Sequence, residues 1–301
     1  MLAKTVRNIK TLKIQGAQSV ALEASFSLIS IINKKHTSKS KFLEEMRDAR
    51  KKLFNARPTE PCLRNALHYI FDLDTSSELE NLKKEFLQRI QYVKTYFNEA
   101  EKNIQQYASK KIQKGSIVYT HCHSGTVTKS LIKAKKDGQN FSVVNTETRP
   151  LFQGRITAKE LSKNGIDVTH YVDAAMRLAL KKADIIFLGS DAITSEGDVF
   201  NKIGSELIAE MAYKFDIPLY ICTCSWKFDP MSIFGFEEKV EKRFAGEVWK
   251  NPPKNVTISN YAFEKVKANL VTGIISELGI FKPGFFVEET LEKYHWMLNK
   301  N

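Results

Sequence analysis

The sequence has little cysteine and no long apolar run. Four cysteines in 301 residues are too few for the disulfide framework of a secreted protein of this size, so we expect free thiols in a reducing cytoplasm. No apolar stretch approaches the ~18–20 residues that cross a bilayer. The first residues alternate basic with apolar side chains and do not resemble a secretory signal. These absences predict a cytoplasmic protein that does not bind a membrane.

A concentrated basic patch is also missing, although the formal net charge is +12. The basic residues form short groups that are scattered along the chain, at 34–35, 50–52, 110–111 and 135–136. Nucleic-acid binding leaves a clustered basic footprint, so this distribution argues against a nucleic-acid partner. Solvated helix faces, together with a few cations for an anionic substrate, account for the charge.

The spacing of histidine and cysteine does not indicate a metal site. Alternation along a strand would send His121 and His123 to one face and Cys122 to the other, which splits the set of ligands. Cys222 and Cys224 lack the spacing of a zinc ribbon. We therefore expect no metal ion.

The pattern of apolar residues changes near residue 115. Before it, apolar side chains recur every three or four residues, as at Leu82, Phe86 and Ile90, which is the period of amphipathic helices. After it, β-rich runs at 116–122, 141–145, 185–189, 219–224 and 256–259 alternate with helical segments at 127–136, 157–163, 171–182, 201–215 and 262–266. The chain is thus predicted to be an α/β protein, with an N-terminal all-helical domain at residues 1–112 and a parallel-sheet domain at residues 113–301.

Ligands of parallel α/β sheets bind beyond the carboxyl ends of the strands, and two predicted strand ends carry reactive side chains. The first runs into Cys122, Ser124 and Gly125 before a helix, whose N-terminus should favour an anion and lower the pKa of the thiol. A small buried cysteine is the simpler alternative. The third strand ends at Asp191, which either caps local groups or, beside an apolar pair, has a raised pKa suited to acid–base work.

Two cationic side chains, Lys202 and Arg149, are candidates for contact with an anionic ligand. Asn201 is a suitable N-cap for a helix that starts there. Lys202, in the first turn of that helix, would oppose the helix dipole, which indicates that it serves an anionic ligand. Arg149 precedes Pro150 and is therefore extended, so we expect its guanidinium to reach over the sheet edge.

Several ordered segments together resemble one known family. The segments are NARPTEP, HCHSGTV, ETRPLFQGRITAKEL and GSDAITSEGDVFNKIGSELIA. They are similar to the family of the regulatory subunits of translation initiation factor 2B, which also contains methylthioribose-1-phosphate isomerase and archaeal ribose-1,5-bisphosphate isomerase. The resemblance covers almost the whole chain. It implies a helical N-terminal domain, a Rossmann-like C-terminal domain, and a homodimer or a dimer-based hexamer.

The same resemblance implies site residues. Cys122 and Asp191 match the catalytic pair of the isomerases, at positions where the regulatory subunits generally differ. Gln15 stands where the enzymes usually carry Arg, and His123 stands where they usually carry Asn. Without a guanidinium at position 15, phosphate binding should be weaker. The residues that the resemblance places around a sugar phosphate are Gln15, Gly16, Ala17, Arg57, Ser124, Gly125, Arg149, Asn201 and Lys202.

The implied activity is the isomerisation of ribose 1,5-bisphosphate to ribulose 1,5-bisphosphate by an acid–base pair, without a redox cofactor or a metal. One alternative is methylthioribose-1-phosphate isomerase. Another is a non-catalytic regulatory subunit that binds a sugar phosphate or a nucleotide and associates with initiation factor 2. A scaffold without a ligand is the third, and the grouping of Cys, Asp, Arg and Lys at strand ends argues against it.

Overall fold

The computed structural model describes residues 1–236, 240 and 242–299. Its N-terminal part is helical, and the predicted apolar stripe of the longest helix is buried at Leu82, Phe86 and Ile90. The predicted boundary at residue 112 falls between this helix and the first strand, and residues 237–239, 241 and 300–301 of the second predicted domain lie outside the described residues. The N-terminal helices are α1 (Leu2–Lys10), α2 (Ala17–Ser27), α3 (Ile29–Ile32), α4 (Lys39–Phe54), α5 (Pro61–Phe71) and α6 (Leu79–Ser109).

Strands and helices alternate after α6. The strands are β1 (Ile117–Thr120), β2 (Ser142–Thr146), β3 (Asp167–Tyr171), β4 (Ile185–Leu188), β5 (Ala192–Ile193), β6 (Val199–Lys202), β7 (Leu219–Cys222), β8 (Phe263–Val266), β9 (Gly273–Ser276) and β10 (Gly279–Phe281). The helices are α7 (Gly125–Lys136), α8 (Gln153–Lys163), α9 (Met176–Leu180), α10 (Ser205–Phe215) and α11 (Pro283–Lys293). A helical region followed by a mostly parallel sheet with helices confirms the predicted fold class.

The main sheet has the strand order β10-β9-β7-β4-β1-β2-β3, and only the β10–β9 pair is antiparallel. From β1 the chain builds β2 and β3 on one side and then crosses to β4, β7 and β9 on the other. The order therefore reverses between β1 and β4. In open α/β sheets, such a switch point leaves a crevice at the carboxyl ends of the two strands, where ligands bind.

The central strands of this sheet form its core. All of β4 is buried, as its uninterrupted apolar sequence requires of a strand that is covered on both faces. The edge strand β3 is largely exposed. In the described part of the chain, we find no helix that combines the length and the apolar character needed to cross a membrane.

Four sequence predictions about local structure are wrong. Residues 256–259 are not a strand, and residues 263–266, which were expected to be helical, form β8. Asn201 does not cap a helix and Lys202 is not in a first helical turn, because both belong to β6, which pairs with β8 in a second, three-stranded antiparallel sheet. The helix begins only after Gly204, whose φ of +101° makes the turn out of the strand. The helix expected at 171–182 is reduced to α9 and a short 3-10 turn.

Candidate active site

The site lies at the switch point of the main sheet. Cys122 follows β1 and Asp191 follows β4, so the topology brings together two side chains that are far apart in sequence. Both line one cavity of about 330 Å³. The other predicted residues that line it are Gln15, Gly16, Ala17, Arg57, Ser124, Gly125, Asn201 and Lys202.

Arg149 is the predicted site residue that the structure places elsewhere. Its side chain is exposed, its guanidinium lies 5.1 Å from the ring centroid of Phe152, and it donates a hydrogen bond of 3.3 Å to the Val248 carbonyl. The backbone at Thr148 and Phe152 is left-handed, with φ of 61° and 57°, so the chain turns sharply on both sides of Arg149. Arg149 thus lies in a turn, not in the extended conformation expected before Pro150, and it is not among the residues that line the cavity.

Cys122 has an unusual backbone conformation for a residue other than glycine. Its φ is +64°, its N–H donates to Thr148 Oγ1 at 2.9 Å, and its carbonyl accepts from Thr157 Oγ1 at 2.8 Å. The side chains of Thr148 and Thr157 thus hold the strained turn at Cys122 in place. Backbone strain that the surroundings enforce in this way is common at functional sites.

The expectation that a helix N-terminus lowers the pKa of this thiol is wrong. Burial raises the pKa of Cys122 to about 11, and the neighbouring Lys202 ammonium opposes that rise without cancelling it. Desolvation disfavours the thiolate more strongly than the nearby positive charge favours it. The sulfur therefore keeps its proton at neutral pH.

The predicted alternation of side chains around Cys122 is also wrong, because β1 ends at Thr120. His121, Cys122 and His123 all border the cavity. His121 donates from Nε2 to the Ile203 carbonyl at 2.9 Å, so its Nδ1 accepts from Thr146 Oγ1 at 2.6 Å, and burial lowers its pKa. His121 is thus a neutral wall residue. Among residues 1–236, 240 and 242–299, no group of three His, Cys, Asp or Glu side chains is arranged to hold a metal ion.

Asp191 stands at the junction of the two sheets. Its N–H donates to the Phe200 carbonyl at 2.8 Å, which ties the end of β4 to β6. Its side chain is half-buried, whereas Ala192 and Ile193 behind it are buried. Asp191 therefore borders the cavity and is followed in sequence by two buried apolar residues.

Asn201 and Lys202 reach the cavity from β6. Asn201 Nδ2 donates to Ser205 Oγ at 2.9 Å, and the Lys202 ammonium lies 4.7 Å from the centroid of the Phe263 ring on β8. The pairing of β6 with β8 therefore fixes the position of the Lys202 ammonium. The sequence had predicted that a helix would position it.

Two helix N-termini open toward the same cavity. Gly125 begins α7 after the N-cap Ser124, whose Oγ accepts from the Val127 N–H at 3.4 Å. Ala17 begins α2 after Gly16, whose φ of 83° makes the turn. Both N-termini lie in the cavity wall. Because unpaired N–H groups and the helix dipole favour negative charge, two anionic groups can be accommodated at these two places.

Two cations of the cavity wall were not identified from the sequence. Lys227, in a short 3-10 turn after β7, is buried, and its ammonium donates to the Ser190 carbonyl at 2.5 Å. Lys227 follows the strand predicted at 219–224, but it was not among the residues assigned to the site. Arg243 lies in an irregular segment and pairs with Glu247 at 2.6 Å, and no local pattern marks it. Together with Arg57 and Lys202 they make the cavity suited to a polyanionic ligand.

Known proteins are similar to this chain in sequence and in structure. The model of the initiation factor 2 subunit family matches residues 13–283. The chain is 34% identical to ribose 1,5-bisphosphate isomerase of Thermococcus kodakarensis over 96% of this chain and 94% of that protein. It is 32% identical to methylthioribose-1-phosphate isomerase of Exiguobacterium sibiricum over 93% of this chain and 86% of that protein. A solved structure of Pyrococcus horikoshii translation initiation factor eIF-2B matches with a TM-score of 0.80 at 26% identity, over 95% of this chain and 98% of that chain.

Proposed function

This chain belongs to the initiation factor 2 subunit family, and we propose that it is a sugar-phosphate isomerase that converts ribose 1,5-bisphosphate to ribulose 1,5-bisphosphate. The observation that supports the proposal most directly is that Cys122 and Asp191 line one cavity. Cationic side chains and two helix N-termini line the same cavity. An acid–base pair beside two anion-binding places suits a bisphosphate that undergoes proton transfer.

The reaction moves hydrogen within one molecule. A proton is given to the ring oxygen as its bond to C1 breaks, hydrogen moves from C2 to C1, and the C2 hydroxyl loses its proton as the C2 carbonyl forms. One proton is gained and one is released, so the atoms balance without a redox partner. In this proposal Cys122 and Asp191 exchange these protons. Cys122 begins as a thiol, as its raised pKa requires, and is therefore a donor in the first step.

In this proposal the two phosphates bind at the two helix N-termini of the cavity wall. The turn at Ser124 and Gly125, together with the Lys202 ammonium of the same cavity wall, holds one phosphate by backbone N–H groups and a cation. Gln15, Gly16, Ala17 and Arg57 hold the other. Gln15 is exposed, its side chain donates to the Leu12 carbonyl at 2.8 Å, and it carries no guanidinium. In this proposal the guanidinium for the second phosphate therefore comes from Arg57.

The test is turnover of ribose 1,5-bisphosphate by the purified protein, followed by NMR, with methylthioribose 1-phosphate as the competing substrate. We expect the bisphosphate to be the faster substrate. Cys122→Ser and Asp191→Asn should each lose about 10²–10⁴-fold in rate, as expected for a general acid or base, and should keep their affinity for the substrate. A folded protein that converts neither sugar phosphate would overturn the proposal.

A non-catalytic regulatory subunit is the second candidate, because the similar Pyrococcus horikoshii protein is a translation initiation factor. Such a protein would retain the cavity but would not need Cys122. It would bind a sugar phosphate or a nucleotide without turnover and would associate with initiation factor 2. Co-purification with initiation factor 2, together with no turnover, would favour this candidate.

We further propose a homodimer or a dimer-based hexamer, located in the cytoplasm. Exposed aromatic side chains at Phe234, Phe236 and Phe244 are 65%, 60% and 79% accessible in the single chain, which suits a surface that another subunit covers. The buried thiols of Cys62, Cys222 and Cys224 suit a reducing compartment. Light scattering of the purified protein measures the subunit number, and a monomer would contradict the assembly proposal.

A further inference from the structure

A buried carboxyl group lies behind the cavity and has no role in the reaction proposed above. Glu60 immediately precedes α5 and is only 2% exposed. Its Oε2 lies 3.7 Å from Arg57 Nε, and its Oε1 has no hydrogen-bond partner in the part of the chain that the structure describes. An unsatisfied buried carboxyl oxygen destabilises a fold, so its presence calls for a reason.

Charged groups from four elements surround Glu60. Arg57 comes from the turn after α4, Arg64 from α5, Asp191 from the end of β4, and Lys227 from the 3-10 turn after β7. Arg64 also pairs with Asp229 at 2.9 Å. The thiol of Cys62, two residues further on, is also within electrostatic reach. Glu60 therefore contacts one cation of the cavity wall and lies within electrostatic reach of another and of Asp191.

Burial dominates the titration of this carboxyl group. It raises the pKa of Glu60 from 4.5 to about 7, and the charge of Asp191 adds to the rise, whereas Arg57, Lys227 and Arg64 oppose it. A carboxyl group with such a pKa changes its charge near neutral pH when the charges around it change. An anion that enters the cavity adds negative charge beside Arg57 and Lys227, and thereby favours the protonated form.

We propose that Glu60 is a positioning residue, which holds Arg57 at the cavity wall when the site is empty and takes up a proton from solvent when an anionic ligand binds. The inference rests on the proposed function in so far as the ligand is a sugar phosphate. Proton uptake lets Arg57 turn fully to the ligand, because a neutral carboxyl no longer competes for the guanidinium. Protonation of Glu60 also removes a negative charge near Asp191.

The first test needs no ligand. Because the pKa of Glu60 is higher in the folded state than in the unfolded state, the folded state binds the proton more tightly. The wild type should then lose stability relative to Glu60→Gln as the pH rises from 4.5 to about 7. Denaturant unfolding at a series of pH values measures this difference. Glu45→Gln, which removes a surface carboxylate paired with Lys34 at 3.0 Å, is the matched control and should show no such trend.

The second test measures proton uptake on binding. Calorimetric titration with ribose 1,5-bisphosphate and with inorganic phosphate, at pH 7 in two buffers of different ionisation enthalpy, gives the number of protons taken up. The ligand's own ionisation is common to both proteins, so the difference between wild type and Glu60→Gln belongs to Glu60. We expect smaller uptake in the variant. If the ligand raises the pKa by one unit, wild-type affinity should fall about tenfold more than that of the variant as the pH rises past 8.

The outcomes separate this inference from the proposed function. Turnover of the bisphosphate, with equal proton uptake in wild type and Glu60→Gln and parallel stability curves, overturns the role of Glu60 and leaves the isomerase proposal intact. Proton-linked binding that is lost in Glu60→Gln, with no turnover in the wild type, supports the role of Glu60 and overturns the isomerase proposal. If Glu60→Gln does not fold, Glu60→Asp replaces it. A shorter carboxyl group should keep the uptake but raise KM, because it no longer reaches Arg57.

Discussion

The sulfur of Cys122 is subject to two opposing influences, and their relative size decides its chemistry. The helix N-terminus and the Lys202 ammonium favour a thiolate, whereas burial beneath the cavity surface favours the thiol. Burial has the larger effect, so the pKa of Cys122 is raised. From sequence alone the N-terminus of α7 is visible but the burial is not, because burial is produced by segments that are distant in the chain, such as those of Thr148 and Thr157.

Alkylation of Cys122 should therefore be slow at neutral pH. Since only the thiolate reacts, its rate with iodoacetamide should rise about tenfold per pH unit up to pH ~10, without an inflection near the ordinary pKa of about 8.5. Mass spectrometry of the peptide that contains Cys122 gives the rate. The same cysteine in denaturant is the control, and there the inflection should return to about 8.5. An inflection at or below that value in the folded protein would mean that the helix N-terminus dominates.

At the scale of single elements, the strands that the sequence predicted correctly are those covered on both faces. The runs that became β1, β2, β4 and β7 are apolar and short, which distinguishes them from helices. The edge strand β3 has no such signature, because most of its residues are exposed. Strand β6 pairs with β5 and with β8 in the second sheet, so the assignment of β6 and β8 depends on contacts that no local pattern contains.

The same distinction holds for the site. Cys122 and Asp191 were predicted because they directly follow the buried strands β1 and β4. Arg149 was expected at the same edge of the sheet, but its loop contains two left-handed residues and it does not line the cavity. Glu60 was not considered, since only tertiary packing makes its carboxyl group buried. The sequence could thus indicate residues that come just after buried strands, but not the effect of other loops or of distant packing.

The close approach of β4 to α7 gives a prediction about these elements. A Cβ at Gly189 would lie 2.6 Å from Ser124 Oγ and 2.8 Å from Ser124 Cβ, so Gly189→Ala must displace the N-cap of α7. Overpacking of this kind costs about 1–3 kcal/mol of unfolding free energy. We also expect weaker binding of ribose 1,5-bisphosphate, because the N–H groups of that turn move. Chemical denaturation and calorimetry measure the two effects.

Gly284→Ala is the matched control for this prediction. Gly284 lies in the first turn of α11, away from the cavity, and an added Cβ there would have no atom within 4 Å. Alanine is the better helix former, so the control should be neutral or slightly stabilising. If Gly189→Ala behaved like Gly284→Ala in both measurements, then α7 would not depend on the close packing of Gly189 against Ser124.

At the scale of the whole molecule, the cavity exists only where the N-terminal helices meet the sheet. Gln15 and Arg57 come from the helical part, whereas Cys122, Asp191 and Lys202 come from the strands. Aromatic packing joins the two parts, since the ring of Tyr96 on α6 stacks on Trp226 with centroids 4.1 Å apart. The N-terminal helices and the sheet should therefore unfold together. A substitution that disrupts their junction should also weaken ligand binding.

Asn65 on α5 allows that junction to be tested with one substitution. It is buried, and its Nδ2 donates to the carbonyls of Trp226 and Phe228 at 2.9 Å and 2.7 Å. These two carbonyls flank Lys227, so one amide group of the helical part fixes the turn that carries a cation of the cavity. Asn65→Ala leaves both carbonyls without this donor, and each unsatisfied buried group costs roughly 1–3 kcal/mol.

We therefore expect Asn65→Ala to lower the free energy of unfolding by several kcal/mol, in a transition that remains single because both parts lose the same contact. It should also weaken ligand affinity, since the Lys227 turn is no longer held. Denaturant unfolding followed by tryptophan fluorescence reports the first effect, because Trp226 lies at the junction, and calorimetry with ribose 1,5-bisphosphate reports the second. Asn103→Ala, on the exposed face of α6, is the control. An unfolding free energy within about 0.5 kcal/mol of the wild type, the range of ordinary surface substitutions, would show that Asn65 does not hold the junction.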